Sequence, residues 1–108
     1  MQILVQVMCT RGPSLREKIA NDPQTGRHLV VVTLEKKPGR SRGWMKVHST
    51  EAERKGAINV EWDARTHVLI CRVVTKGGGR PNLIVGDFID YLLARHRSRI
   101  QSINVIPR

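Results

Sequence analysis

The sequence predicts an α+β fold: a largely antiparallel sheet of five to six strands, one main helix in the C-terminal half and a short helix near the N terminus. Three observations carry this. The chain has 108 residues, enough for one core and too few for two, so residues 1–108 read as a single domain. Val and Ile number 21, and Leu, Ile, Val and Phe together 30, which suits a half-buried pleated surface and rules out a chain too polar to collapse. Apolar residues alternate with period two over most of the chain, and only one long stretch departs from that period toward a helical stripe.

Residues 2–10 open the pattern, with Ile3, Val5, Val7 and Cys9 on one face and Leu4, Gln6, Met8 and Thr10 on the other, as in a half-buried strand. In RGPSLREKIANDPQTGR, Pro13 and Ser14 resemble a helix start, Leu15 and Ile19 share a face, and NDPQTG is dense in turn residues. HLVVVTLEKK, residues 28–37, is a continuous β-branched run and reads as a strand. After the basic turn PGRSRG, strand alternation resumes in GWMKVHS, placing Trp44, Lys46 and His48 on one face and Met45 and Val47 on the other. GAINVEWD and HVLICRVVTK are two further strands, and the short DART between them predicts a tight hairpin. Their internal order gives a four-strand meander.

GGGRPN ends the last of these strands, and Gly86 with Asp87 reads as the N-cap of a helix over DFIDYLLARHRSRI. Its acids, Asp87 and Asp90, lie early and Arg95, Arg97 and Arg99 late, as the helix dipole favours. Phe88, Ile89, Leu92 and Leu93, with Tyr91 alongside, form the stripe that lies on the sheet. SINVIPR returns to alternation through Ile103 and Val105. A helix leading into a last strand suggests a split βαβ unit, although four preceding strands exceed the ferredoxin-like plan. The meander with its helix resembles, in architecture, single-stranded nucleic-acid-binding modules of the PUR kind, which implies a nucleic-acid partner for the sheet.

Charge gives the functional expectation. Nineteen Lys and Arg against nine Asp and Glu leave a formal net charge of +10, and a surface so basic calls for a polyanionic partner, since neutralised phosphates release their condensed counterions. Arg outnumbers Lys thirteen to six, and guanidinium suits bidentate phosphate contacts. The segment KKPGRSRGWMK holds Lys36, Lys37, Arg40, Arg42 and Lys46 with no acid, and Trp44 beside them offers an indole for base stacking, set against a plain packing role. A second acid-free span, from Ala64 to Gly86, carries Arg65, Arg72, Lys76 and Arg80. Arg72 stands in an otherwise apolar strand and must face solvent or pair with a carboxylate, Glu61 across the hairpin being the candidate. TKGGGRPN lacks the spacing of a nucleotide-binding phosphate loop.

These nine residues, Lys36, Lys37, Arg40, Arg42, Trp44, Lys46, Arg72, Lys76 and Arg80, form the expected nucleic-acid-binding set of a non-catalytic domain. The alternative is an oligomerising or protein-binding module, a homodimer among the cases, whose free strand edges another chain covers. A third reading is a metal-independent ribonuclease using His48 with Glu51 and Glu53. No nucleophile with a local base and no spaced ligand set for a metal or cofactor stands in the sequence. Cys9 and Cys71, each inside an apolar alternation, read as buried reduced thiols. No apolar run reaches membrane-span length and the start lacks a basic signal region, so a soluble cytoplasmic protein is expected.

Overall fold

The computed structural model describes residues 2–28, 30–33, 45–50 and 55–107. Its elements run in the order β1 (Gln2–Cys9), α1 (Leu15–Ala20), β2 (Val30–Thr33), β3 (Met45–Ser49), β4 (Gly56–Asp63), β5 (Val68–Thr75), α2 (Pro81–Arg95) and β6 (Ile100–Pro107), with short 3-10 turns at Thr25–His28 and Arg97–Arg99. All six strands form one sheet in the order β2-β3-β4-β5-β1-β6, and every neighbouring pair is antiparallel. The expected α+β architecture and the meander β2 to β5 are therefore present. Because β5 and β6 both run antiparallel to β1, which lies between them, β5-α2-β6 is a split βαβ unit.

Alternation sets the two faces of the sheet. Ile3, Val5, Val7 and Cys9 of β1, Met45 and Val47 of β3, Ile58 and Val60 of β4, and Leu69, Cys71 and Val73 of β5 are buried together. Both helices lie on this face. α1 contributes Leu15 and Ile19, and α2 contributes Ile84, Val85, Phe88, Tyr91 and Leu92, at the i, i+1, i+4, i+7, i+8 spacing of a helix stripe. Trp62 packs half-buried against the same core, and both cysteines are buried free thiols, as the alternation implies. Burial drives the Cys71 thiol pKa far upward, so it stays protonated.

Local chemistry fixes the connections. The Ser14 hydroxyl accepts from Glu17 N–H at 3.3 Å and caps α1, and the Asp63 carboxylate accepts from Arg65 N–H at 2.9 Å at the β4–β5 turn. That turn ends on His67 at φ +55, so β5 begins at Val68 and not at the histidine.

Three further expectations are corrected. α2 starts at Pro81, six residues before Asp87: proline at the first helical position has its φ pre-set and no N–H to satisfy, so it seeds the helix without a side-chain cap, and Gly86 and Asp87 lie inside. Leu93 does not join the stripe; it is 43 % exposed, while Ile84 and Val85 from the added first turns are buried. The strand expected over residues 28–37 is described only as Val30–Thr33, since His28 closes a 3-10 turn and residues 34–37 lie outside the described residues.

Candidate nucleic-acid interface

With both helices on one face, no element among the described residues lies on the opposite face of the sheet, the open face below. Strand register lays its residues out in rows. One row runs Lys46–Asn59–Arg72–Leu4–Ile106 across β3, β4, β5, β1 and β6. The next toward the end of β5 holds Ala57 and Val74. Beyond it the ladder continues one step past the strands, where Lys76 N–H donates to Lys55 O at 3.2 Å. In the other direction follow the row Glu61–Ile70–Gln6–Asn104 and the row Asp63–Val68–Met8–Ser102.

The rows segregate charge. Among the described residues, Lys46 and Arg72 lie in a row toward one end of this face, with Lys55 and Lys76 paired through their backbones just past the strands at that end, and Glu61 with Asp63 lie toward the other, where Arg65 follows in the turn. Arg72 is exposed, as strand alternation requires of a charge on the open face. Its expected pairing with Glu61 is not found among the described residues: Arg72 stands opposite Asn59, and Glu61 stands two pairs further, opposite Ile70. About two strand spacings, ~10 Å, separate Lys46 from Arg72 along their row.

The loop after β5 adds to the basic end. Gly78 takes φ +80, and a side chain at its Cα would lie 3.7 Å from Lys55 Nζ. Gly79 packs so closely that a Cβ there would meet Lys55 O and Thr75 Cβ, each at 2.7 Å. The two glycines thus let the loop fold back on the start of β4, bringing Lys55 beside Lys76. Arg80 follows, exposed, at the N-cap of α2. Lys55, at φ +47 just before β4, is absent from the sequence-derived set; the backbone hydrogen bond from Lys76 and the close approach of Gly79 bring it there.

Of the nine expected residues, Lys46, Arg72, Lys76 and Arg80 are described: Lys46 and Arg72 in one row of the open face, Lys76 just past the end of β5 and Arg80 at the N-cap of α2. Lys36, Lys37, Arg40, Arg42 and Trp44 lie outside the described residues, in the segment joining β2 to β3. His48 lies on β3 opposite Val31, and its proposed partners Glu51 and Glu53 lie outside the described residues.

A second polar cluster, unforeseen in the sequence, sits on the helical side. The Asp22 carboxylate, 3 % exposed, accepts from Tyr91 O–H at 2.8 Å, Arg95 Nε at 3.3 Å, the other Arg95 nitrogen at 3.2 Å and Gln24 N–H at 2.9 Å. The single Tyr91 hydrogen is engaged there, so the tyrosine oxygen accepts from His96 Nε2–H, also at 2.8 Å, which assigns that tautomer. Burial would raise the Asp22 pKa, but the hydrogen bonds from Arg95, Gln24 and Tyr91 outweigh it and hold the carboxyl at about 2. Burial lowers the His96 pKa, aided by the charges of Arg95 and Lys18 and opposed by Asp22. An open hollow of about 470 Å³ adjoins the cluster, lined by Ser14, Glu17, Lys18, Asn21, Arg95 and His96 among others. The carboxylate and hydroxyl are spent on one another, so the cluster works as a clasp between the α1–β2 connection and the end of α2.

Among the described residues there is no group of three or more His, Cys, Asp or Glu placed to hold a metal ion, and no helix long and apolar enough to cross a membrane. Compared with protein-family models, with curated proteins and with solved structures, the chain gives no match.

Proposed function

We propose that this domain binds nucleic acid without catalysis, through the basic end of its open sheet face. The supporting observation is the arrangement of charge: Lys46 and Arg72 in one row of that face, Lys55 and Lys76 just past the strands at the same end with Arg80 following at the start of α2, and the acids Glu61 and Asp63 toward the other end. The cations hold phosphates, which fixes position along the backbone and carries no sequence information. Lys36, Lys37, Arg40 and Arg42 extend the track, and Trp44 supplies a stacking surface worth about 1–3 kcal/mol per base.

The test is fluorescence anisotropy with labelled single- and double-stranded RNA and DNA at several salt concentrations. Affinity falls steeply with salt, and Arg72→Ala and Lys76→Ala each reduce the log–log slope by roughly one. Binding that ignores salt, or no binding at low salt, overturns the proposal. A second reading, a protein-binding module, is favoured by the half-buried apolar side chains Leu4, Met8, Val68, Ile70, Val74 and Ile106 on the same face. Arg72→Ala separates the two, since an apolar contact keeps its affinity when the charge is removed.

A further inference from the structure

We propose that a second copy of this chain docks on the free edge of β6, pairing β6 with β6 about a two-fold axis at Asn104. Among the described residues β6 has a strand neighbour on one side only, β1, and it is eight residues long. Sheet edges are ordinarily protected by charge, by brevity, by a proline inside the strand or by bulges. IQSINVIP carries no charged residue in a chain where charged residues make up 26 %, its one proline is its last residue, and its bulge lies at the start, where the partners of Met8 and Cys9 shift register. The strand is thus an edge on which a chain of net charge +10 can meet its own copy without setting cation against cation. Arg99, just before it, is turned inward, donating to the Thr10 side chain and to the Thr10 and Pro13 carbonyls.

The register follows from the backbone. Cys9 N–H donates to His67 O on the β5 side and Thr10 N–H to Arg99 O on the β6 side, each at 2.9 Å. Backbone groups alternate along a strand, so Leu4, Gln6 and Met8 bond β6, and their partners Ile106, Asn104 and Ser102 point back at β1. The N–H and C=O groups of Ile103 and Val105 are left on the free edge. An antiparallel pair centred on Asn104 sets Ile103 opposite Val105 of the second copy, and Val105 opposite its Ile103, engaging all four donors. Side chains match as well. Val105, 44 % exposed on the helix-bearing side, comes to lie against Ile103 of the second copy, and on the other side Ile106 meets Ser102. Opposed residues share a face, so the two open faces become one surface of twelve strands. The seam uses none of the basic residues, and its test is independent of nucleic-acid binding.

The experiment is sedimentation equilibrium on the full chain across the micromolar range, with three variants. The wild type sediments at twice 12.2 kDa. Val105→Pro deletes one edge-facing donor per copy and leaves the β1–β6 ladder intact, weakening the dimer about tenfold for the two bonds lost. Asn104→Cys closes a disulfide between copies on mild oxidation, because a non-hydrogen-bonded antiparallel pair brings the two Cα atoms to about 4.5 Å. Ser102→Cys, which faces Ile106 of the second copy, does not. A 12.2 kDa monomer throughout the range overturns the proposal. So does a dimer indifferent to Val105→Pro, or cross-linking that is no faster at position 104 than at 102.

Discussion

Tyr91 is a buried aromatic whose hydroxyl holds two partners at once, and that makes it the residue whose smallest change says most. Tyr91→Phe keeps the ring in the core and removes the hydroxyl that bridges Asp22 and His96, leaving His96 Nε2 only its 3.4 Å contact with Asp22, so it costs about 1–3 kcal/mol, read as a lower urea midpoint at unchanged m-value. The same clasp sets an acid limb to stability. Asp22 has its pKa lowered to about 2 from an ordinary 3.8, so the unfolded chain takes up its proton first as pH falls. Its stabilisation, on the order of 2 kcal/mol, is complete above 3.8 and is lost as pH falls through about 2. His96 acts with the same sign higher up: its depressed folded pKa favours the native state above 6.5, and that advantage fades below. Urea titrations from neutral to acid pH show both, and Asp22→Asn flattens the lower part. None of this was legible in the sequence, because the clasp joins Asp22 to a tyrosine 69 residues away and no periodicity encodes such a contact.

At the level of elements, β1, β4 and β5 announce themselves because every second residue is apolar and buried, although Leu4, Met8, Val68, Ile70 and Val74 put apolar side chains on the open face as well. α2 was found and its start misplaced. The residues Leu83, Ile84 and Val85 read as a broken apolar run when Gly86 and Asp87 are taken as a cap, whereas Pro81 had already begun the helix and Gly86 passes through its solvent side. A mutation tests this. Nothing lies within 4 Å of a Cβ built at Gly86, so Gly86→Ala stabilises by about 0.5–1 kcal/mol, read as a rise in urea midpoint; a true N-cap position would not gain. Gly79→Ala has the opposite sign. Its Cβ would meet Lys55 O at 2.7 Å, so the loop opens, Lys55 moves away from Lys76, and nucleic-acid affinity falls along with stability.

Across the whole molecule, both helices cover one face of a six-stranded sheet, and in the function proposed above this arrangement leaves the other face for a polyanion. Composition shows that the chain is basic and cannot show that its cations gather toward one end of a face, since that depends on the register of β3, β4 and β5. The backbone contact of Lys76 adds Lys55 to the candidate site, and register sets Arg72 opposite Asn59. Glu61→Lys would extend the basic end across the next row, so it raises affinity for single-stranded oligonucleotides and steepens the salt dependence by about one phosphate contact; anisotropy titrations at several salt concentrations measure both.

The place of β1 in the sheet has a kinetic consequence. It is flanked by β5 and β6, so Val5 must find Cys71 on one side and Val105 on the other, both far along the chain. Neither neighbour can be recruited by a local turn, and the loop entropy of both closures is spent before the core around Val5 and Val7 exists. Nearly every early contact must come from the β2 to β5 meander, with β1 docking late. Folding is accordingly slow for a domain of this length, in the millisecond-to-second range of chains ruled by distant strand pairing, and until it completes β5 stands as an edge that other chains can reach.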